Sequence, residues 1–477
     1  MHPFEQDKLA EECAVFGIWG VEEAPILTAL GLHALQHRGQ EATGMVSFDG
    51  SQFYQHRGLG QVGENFSAGA PVLEEMRGHA AIGHNRYSTT GQSEFRNIQP
   101  FLTELAFGSF ALAHNGNLTN SERIRSSLVA TGSLFQSSTD TESIIHLVAR
   151  SHRDETAQRL TDALMQIEGA YALVSLVEDA LIGVRDPHGV RPLVLGRLGA
   201  GYVLASETCA LDIIGAEFVR DIAAGEMVII DKDGLRSQQI GSRQKSRFCI
   251  FEYIYFARPD SRLEGRSVYQ ARKQIGAELA AESGVAADLV VPVPDSGVPA
   301  ALGYAEAAGL PYELGIIRNH YVGRTFIQPT QDARVSGVMM KHNPNSEIIS
   351  GRDIVLVDDS IVRGTTSRKI VTMMRRAGAR KVHMRIASPP TMNPCFYGVD
   401  TPERENLIAA QMECDKICAE IGADSLAFVS LDGLYRAVGE SGRDAAQPQF
   451  CDACFTGDYP IALSDKSKDR RVSHGKG

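Results

Sequence analysis

The sequence lacks the features of a membrane-spanning, secreted or fibrous chain. In 477 residues, no apolar run approaches the roughly 18 residues of a transmembrane helix. The first twelve residues contain no apolar core, so they do not form a secretory signal. Eight cysteines are too few for a disulfide scaffold in a chain of this length. We therefore expect a cytoplasmic protein that keeps its thiols reduced and has no membrane partner.

The sequence also lacks an excess of positive charge. Lysine and arginine number 47 against 58 aspartates and glutamates, which gives a net charge of −11. This balance argues against a general nucleic-acid binder, although it allows a local basic pocket for a phosphorylated ligand. Hydrophobic residues make up 43% and charged residues 22%, as in globular proteins, and the length predicts two or three domains.

The first half of the chain reads as short strands joined by tight turns, with helices between them. Predicted strands cover 107–113, 171–177, 180–184, 193–196, 202–205 and 227–231, and predicted helices cover 141–153 and 156–167. Successive hairpins with a few helices indicate an α+β layered domain.

In the second half, strands and helices alternate. Predicted helices cover 267–283, 298–308 and 365–377, and apolar strands cover 289–291, 354–357 and 382–387. This order is typical of a doubly wound parallel sheet whose strands are buried on both faces. We place the boundary between the halves near 240–250 and expect the polar tail 464–477 to be disordered.

Cys13 stands before an apolar strand, where a cysteine is most often a core residue. Four polar segments downstream change that interpretation, because each adjoins an apolar segment, as site residues do at the ends of sheet elements. They are HRGQE at 37–41, GHNRYST at 83–89, HNGN at 114–117 and STDTE at 138–142.

Together with ECAVFG around Cys13, these segments resemble the glutaminase domain of class II glutamine amidotransferases, from residue 13 to about 235. The resemblance implies a layered α-β-β-α N-terminal-nucleophile hydrolase whose mature chain begins at Cys13, after removal of a propeptide 1–12. A free α-amine accepts the thiol proton, which an amide nitrogen cannot do. The resemblance assigns oxyanion stabilisation to Asn115 and Gly116.

Two further residues suit the charged ends of a glutamine substrate. Arg86 fits a carboxylate through bidentate hydrogen bonds, and Asp140 fits an ammonium group. Taken alone, either side chain more often belongs to a surface ion pair. Their positions within the motifs favour the substrate-binding interpretation.

A second cluster of polar residues follows the apolar run 354–357. Asp358 and Asp359 come at the carboxyl end of the predicted strand, where ligands bind in such sheets. Two carboxylates there suit ribose hydroxyls or a hydrated Mg²⁺. An acidic strand end of the Walker B or receiver kind is the alternative. The Gly-Thr-Thr that follows favours a sugar phosphate, because backbone N–H groups at a helix start bind phosphate.

This segment resembles the signature of type I phosphoribosyltransferases. The resemblance implies ribose and metal contacts at Asp358 and Asp359, and an additional Mg²⁺ ligand at Ser296. It implies a phosphate-binding loop formed by Ser360, Gly364, Thr365 and Thr366. Residues 321–341 resemble a loop that closes over the substrate, with Arg324, Arg334 and Lys341 near the pyrophosphate.

Cys451 and Cys454 form a C-x-x-C pair, which alone could be a zinc half-site, a redox pair, part of an iron–sulfur site or chance. With the residues that follow, the pair resembles a cluster-binding subset of amidotransferases. That resemblance implies a 4Fe-4S cluster held by Cys249, Cys395, Cys451 and Cys454. Cys414 and Cys418 are a rival pair, which we assign to the apolar face of a helix over 404–421. We expect Cys209 to be buried.

The two halves together resemble the amidophosphoribosyltransferase family. We predict a glutaminase domain at 13–240, a phosphoribosyltransferase domain at 250–440 and a cysteine-bearing C-terminal segment at 441–477. The resemblance implies a pentosyl-transferring glycosyltransferase that makes 5-phosphoribosylamine from glutamine, water and phosphoribosyl pyrophosphate, the committed step of purine synthesis. It also implies one Mg²⁺ and one cluster per subunit, inhibition by purine nucleotides and a homotetramer.

Two other functions remain open from the residues. One is a different class II amidotransferase, whose synthase domain would lack the Asp358–Asp359 loop. The other is a regulator that senses phosphoribosyl pyrophosphate and binds nucleic acid. Such a regulator would not need Cys13 and its glutamine motifs, and the acidic chain argues against it.

Overall fold

Two antiparallel sheets form the first half of the protein. The computed structural model describes residues 10–11, 13–67, 71–87, 94–318 and 342–465. The first sheet has, in spatial order, strands Glu217–Asp221, Val194–Leu198, Gly201–Ala205, Cys13–Trp19, Ala80–Arg86, Ala42–Phe48 and Phe53–Leu59. The second has Gly234–Gln239, Glu226–Asp231, Ala180–Arg185, Gly169–Leu176, Gly108–Leu118 and Phe101–Leu105.

The two sheets pack face to face around a shared apolar core. Val15 and Val46 of the first sheet lie in one cluster with Ala113 and Val174 of the second. The sheets approach closely at Gly17, where a Cβ atom would lie 2.6 Å from Val174 Cγ1. A larger residue at this position would force the sheets apart.

Helices cover the outer face of each sheet. Helix Ala24–Ala34 contacts the first sheet, and helices Ser121–Ala130, Thr141–Arg150 and Thr156–Leu164 share a core with the second. This arrangement confirms the predicted α-β-β-α layering. Shorter helical turns lie at Gln36–Arg38, Val62–Asn65, Pro71–Glu75, Phe95–Asn97 and Cys209–Asp212.

A four-stranded parallel sheet forms the second half, as predicted. Its spatial order is Leu289–Pro292, Asp353–Asp358, Lys381–Ile386 and Ser425–Phe428. Helices Val268–Ser283 and Val298–Ala308 share a core with Val355 and Val357, whereas helices Thr365–Arg376 and Cys414–Ile421 share one with Ile354 and Leu356. Alternate residues of the central strand therefore face opposite helical layers, which explains its continuous apolar run.

Short elements complete this half. They are strands Phe248–Cys249, Arg262–Leu263, Arg266–Ser267, Ile316–Arg318, His342–Pro344, Val399–Asp400 and Phe450–Cys451, and helical turns Glu252–Phe256, Ser346–Ile349, Arg404–Asn406, Ile408–Gln411, Leu431–Ala437 and Ala453–Thr456. Within the described ranges, no helix is both long and apolar enough to cross a bilayer.

The single helix expected over 404–421 is wrong. The chain is extended at Leu407 and Met412, which separates three short helical pieces. At the first break, the Ile408 N–H donates to the Val362 carbonyl, 2.9 Å away, and so leaves the helical pattern. The predicted domain boundaries stay predictions, and most of the expected disordered tail, 466–477, lies outside the described residues.

Candidate active sites

Cys13 lies at the wall of a cavity of about 420 Å³ in the first half of the protein. Cys13 is only 6% exposed, and it pairs with Arg86 across neighbouring antiparallel strands. Arg86, Gly116 and Asp140 line the same cavity. The structure therefore brings together residues that are far apart in the sequence and that the motifs had singled out.

Asn115 is the other predicted member of this site, on the strand that carries Gly116. Its side chain is fully buried, and neither its Nδ2 nor its Oδ1 has a hydrogen-bond partner among the described residues. Burying an amide without partners costs about 1–3 kcal/mol, so such a group is uncommon in a core. An amide N–H held ready for an absent oxygen is what an oxyanion site requires.

The HNGN segment was expected at the end of a strand, and that expectation is wrong. Strand Gly108–Leu118 continues through it and pairs with Gly169–Leu176. Gly116 allows the strand to continue through this segment. Its φ is +143°, and a Cβ atom there would lie 2.1 Å from the Ala170 carbonyl oxygen. A side chain at this position is excluded by both the conformation and the neighbouring strand.

Charged groups of opposite sign lie at the cavity wall. The Arg86 Nη1 donates to the Asn97 carbonyl at 3.2 Å, and its Nε has no partner within the described ranges. The Asp140 Oδ2 accepts from the Leu118 N–H at 2.8 Å. Burial raises the pKa of Asp140, but nearby His114 and the backbone donors outweigh it and hold the pKa below its usual 3.8. Asp140 is therefore an anion at neutral pH.

Two buried histidines support this wall, and the sequence reasoning assigned them no role. The His114 Nδ1 lies 3.1 Å from Thr141 Oγ1 and 3.6 Å from Asp140 Oδ1. The His84 Nε2 donates to the His114 carbonyl at 3.0 Å. Both residues stand inside motifs quoted from the sequence, so their proximity to named site residues was the available signal.

The second predicted site lies at the carboxyl end of strand Asp353–Asp358. Asp358 and Asp359 are each 1% exposed. Asp359 accepts hydrogen bonds on both oxygens, from Ser296 Oγ on Oδ2 and from Ser360 Oγ at 2.5 Å on Oδ1. The structure thus brings Ser296 to the acidic pair, as the resemblance implies, and supplies the hard oxygen donors that suit Mg²⁺.

A tight turn follows the acidic pair and starts helix Thr365–Arg376. Gly364 adopts φ +80°, and a Cβ atom there would lie 2.7 Å from Ile408 Cδ1. The helix begins at Thr365, six residues after Asp359, and its first N–H groups have no acceptor within the helix. This is the geometry of an anion-binding helix start.

Three cations of the predicted pyrophosphate contact belong to the segment 321–341. Arg324, Arg334 and Lys341 lie outside the described residues. One cation near this edge was not predicted: Arg318, at the end of strand Ile316–Arg318, forms an ion pair with Asp295. Its signal was available, since Asp295 immediately precedes Ser296, which the sequence had singled out.

The four cysteines of the predicted cluster set lie near one another. Cys249 pairs directly with Cys451 across two parallel strands, and the Cys454 carbonyl accepts from the N–H groups of Met392 and Asn393 at 2.9 and 3.0 Å. Burial raises the pKa of Cys249 to about 12 and those of Cys451 and Cys454 well above 9.0, and neighbouring thiols including Cys395 add to each shift.

Four thiols are the donor set that a 4Fe-4S cluster takes. Among the described residues, no three or more His, Cys, Asp or Glu side chains form a group that could hold a metal ion. Cys414 and Cys418 lie elsewhere, with thiols near the carbonyls of Leu426 and Ala423. Cys209 is 3% exposed, as expected.

Two family models match the chain, one in each half. A glutamine amidotransferase domain matches residues 84–212, and a phosphoribosyl transferase domain matches residues 266–388. The first match includes Arg86, Asn115 and Asp140, and the second includes Ser296 and Asp358.

Several known proteins are similar over nearly the whole chain. The amidophosphoribosyltransferase of Rhizobium etli is 55% identical over 98% of this chain and 95% of its own length. That of Bacillus subtilis is 50% identical over 95% of both chains. A solved structure of the B. subtilis glutamine phosphoribosylpyrophosphate amidotransferase, complexed with ADP and GMP, superposes with a TM-score of 0.90. It shares 49% identity and covers 94% of this chain and 98% of that one.

Proposed function

The chain belongs to the amidophosphoribosyltransferase family, and from this premise we propose which of its residues perform each half of the reaction. The protein is a glycosyltransferase-type enzyme of purine biosynthesis that transfers nitrogen from glutamine to phosphoribosyl pyrophosphate. The proposal concerns the roles of Cys13 and its cavity, of the acidic pair at the second sheet, and of the bound groups.

In the first half-reaction, the α-amine of mature Cys13 takes the thiol proton and the thiolate attacks the side-chain amide carbon of glutamine. The negative charge on the amide oxygen is stabilised by hydrogen bonds from Asn115 Nδ2 and the Gly116 N–H. The carbon–nitrogen bond then breaks, and the nitrogen leaves as ammonia with the proton. Water hydrolyses the thioester to glutamate. Arg86 and Asp140 hold the substrate carboxylate and ammonium.

This chemistry requires that residues 1–12 be removed. Before removal, the nitrogen of Cys13 belongs to a peptide bond and cannot accept a proton. Ala10 and Glu11, just upstream, pair in antiparallel fashion with Asp400 and Val399. Cleavage before Cys13 frees this nitrogen and so creates the catalytic base.

In the second half-reaction, ammonia attacks C1 of the ribose as pyrophosphate leaves. Asp358 and Asp359 bind the ribose hydroxyls, while Ser360 and the loop Gly364–Thr366 bind the 5-phosphate through hydroxyl and backbone donors. Ser296 and the two aspartates would hold Mg²⁺, which offsets negative charge on the pyrophosphate when bound. Arg324 and Lys341 add positive charge at the same group.

The bound cofactors and partners form the remainder of the proposal. Cys249, Cys395, Cys451 and Cys454 would hold a 4Fe-4S cluster with a structural role, because the reaction transfers no electrons. Purine nucleotides inhibit the enzyme, in line with the ADP and GMP named for the B. subtilis structure. The assembly is a homotetramer in the cytoplasm.

The observation that carries the proposal is the buried amide of Asn115, which has no hydrogen-bond partner among the described residues. Its chain neighbours His114 and Gly116 line the Cys13 cavity. The test replaces Cys13 by alanine in the full chain and assays synthesis with glutamine and with ammonium salts. Glutamine-dependent synthesis should disappear and ammonia-dependent synthesis should remain. Cys209→Ala, at another buried cysteine of the same domain, should keep both activities. Retained glutamine use in Cys13→Ala contradicts the proposal.

A further inference from the structure

A loop from the second half of the protein packs against the strand that carries the proposed oxyanion donors. At Gly398, a Cβ atom would lie 2.9 Å from the Cα of Gly116 and 3.2 Å from its carbonyl carbon. Gly398 also adopts φ +97°, which other residues rarely adopt. The two backbones therefore touch directly, with no side chain between them.

A hydrogen bond also joins the two segments, at the residue that follows Gly116. The Asn117 Nδ2 donates to the Phe396 carbonyl at 3.0 Å. On its other side, Gly116 is closed in by the neighbouring strand, since a Cβ atom on it would lie 2.1 Å from the Ala170 carbonyl oxygen. Gly116 is thus held between a strand of its own sheet and the loop 387–398 of the second half of the protein.

The loop that supports Gly116 is itself firmly anchored. The Tyr397 hydroxyl donates to the Ile461 carbonyl at 2.6 Å and accepts from the Ile461 N–H at 3.0 Å. The Cys395 N–H donates to Thr401 Oγ1 at 2.7 Å. Tyr397 is 1% exposed. Because hydrogen bonds hold the loop at Cys395 and Tyr397, directly before Gly398, it supports the strand it touches.

We infer that Gly398 is a positioning residue for glutamine hydrolysis, acting on the Gly116 N–H from the phosphoribosyltransferase half of the chain. The inference rests on the proposed role of Gly116. An oxyanion donor stabilises charge that develops only in the transition state, so displacing it lowers kcat. The KM for glutamine depends instead on Arg86 and Asp140, which the loop does not displace.

The first test is Gly398→Ala in the full, processed enzyme. We expect glutamine-dependent kcat to fall by about tenfold or more, less than the 10²–10³ of deleting a donor outright. The KM for glutamine should stay within about twofold, and ammonia-dependent synthesis should be unchanged. Gly132→Ala is the matched control: its φ is +94° and nothing lies within 4 Å of a Cβ atom there, so it carries backbone strain alone.

The second test probes the oxyanion position by inhibition. The probe is an analogue of glutamine with an aldehyde in place of the side-chain amide. The Cys13 thiol attacks the aldehyde carbon and a sulfur–carbon bond forms. The former carbonyl oxygen then takes up the thiol proton or remains an anion at the oxyanion position. Glutamate has no such adduct. Gly398→Ala should weaken inhibition by the aldehyde about as much as it lowers kcat, with inhibition by glutamate unchanged.

The outcomes separate the inference from the proposed function. If Gly398→Ala behaves like Gly132→Ala in kcat and in aldehyde inhibition, the inference is wrong. If the wild-type enzyme does not bind the aldehyde, the proposed chemistry at Cys13 fails instead.

A second variant, Asn117→Asp, decides the case in which Gly398→Ala also loses ammonia-dependent synthesis. It places a carboxylate against the Phe396 carbonyl and should weaken inhibition by the aldehyde relative to inhibition by glutamate. An unchanged ratio overturns the inference.

Discussion

Arg38 and Glu252 form a fully buried ion pair between the two halves of the protein, with 2.6 Å between Nη2 and Oε2. The Arg38 Nε also donates to Glu207, another fully buried carboxylate. The Arg191 Nη1 lies 3.8 Å from the Oε1 of Glu252. Charges removed from water in this way are tolerated only when they are paired, so each partner depends on the others.

Removing one carboxylate from this network should destabilise the enzyme strongly. In Glu252→Ala, the guanidinium groups of Arg38 and Arg191 lose a buried counter-charge, and we expect a loss of about 3–5 kcal/mol. Glu420→Ala removes the partner of Arg368 in an ion pair that is about half exposed, where the loss should be under about 1 kcal/mol. Thermal melting of the two variants beside wild type measures the difference. Equal melting temperatures would show that the buried pair contributes no more than the surface pair.

The buried His84 should make the protein less stable in mild acid. Burial lowers its pKa from 6.5 to about 3, and the Arg86 charge acts in the same direction. Between pH 6.5 and 3 the unfolded chain binds a proton that the native chain does not, so stability falls as pH falls, by at most about 1.4 kcal/mol per pH unit. Above pH 6.5 this contribution to the pH dependence vanishes.

His84→Gln tests this, because glutamine can still donate to the His114 carbonyl but does not titrate. The slope of unfolding free energy against pH between 5 and 6.5 should be shallower in the variant than in wild type. His152→Gln, at an exposed histidine, should keep the wild-type slope. The comparison uses slopes, so a constant packing loss at position 84 does not affect it. Identical slopes in all three proteins contradict the assignment.

Much of the fold was predictable because its signals are local. The apolar run before Asp358 and the Gly-Thr-Thr after it specify a strand, a turn and a helix within a dozen residues. The helix expected over 404–421 failed because a distant group decides it: the Val362 carbonyl takes the N–H of Ile408. No periodicity within that segment could indicate a partner 46 residues away.

The same distinction applies to the glutamine site. Cys13, Arg86 and Asp140 were identified because each stands in a recognisable motif. The contact between Gly398 and Gly116 was not, because it depends on how two separate halves pack. Sequence order gives no measure of such packing, and a glycine in a loop has many ordinary explanations.

Asp359 should be required for transfer to the sugar but not for glutamine hydrolysis. Both of its oxygens are fixed by Ser296 and Ser360, so Asp359→Asn would replace an acceptor with a donor facing a hydroxyl. We expect synthesis with ammonia to fall about a hundredfold, since misplaced binding groups cost that much. Hydrolysis of glutamine alone should remain at its basal rate.

The matched control for Asp359 is a second aspartate at the other end of the strand that Asp359 follows. Asp353 is at the opposite, amino end and pairs with Arg380 at 2.7 Å on the surface. Asp353→Asn should retain synthesis with ammonia and with glutamine. Measuring both activities in both variants decides whether the loss belongs to the carboxyl end of the sheet. Equal losses in the two variants would indicate a general effect on the strand and not on substrate binding.

Bound iron should depend on the four proposed cluster cysteines and not on the pair Cys414 and Cys418. Burial and neighbouring thiols raise the pKa of Cys451 well above 9.0, so its thiolate forms readily only when a metal is bound. Cys451→Ser, purified without oxygen, should therefore lose most of its iron and acid-labile sulfide. Cys414→Ser, at the half-buried rival position, should keep the wild-type content of both. Iron lost from Cys414→Ser and kept by Cys451→Ser would assign the metal to the helix Cys414–Ile421, and iron absent from the wild type would remove the cluster from the proposal.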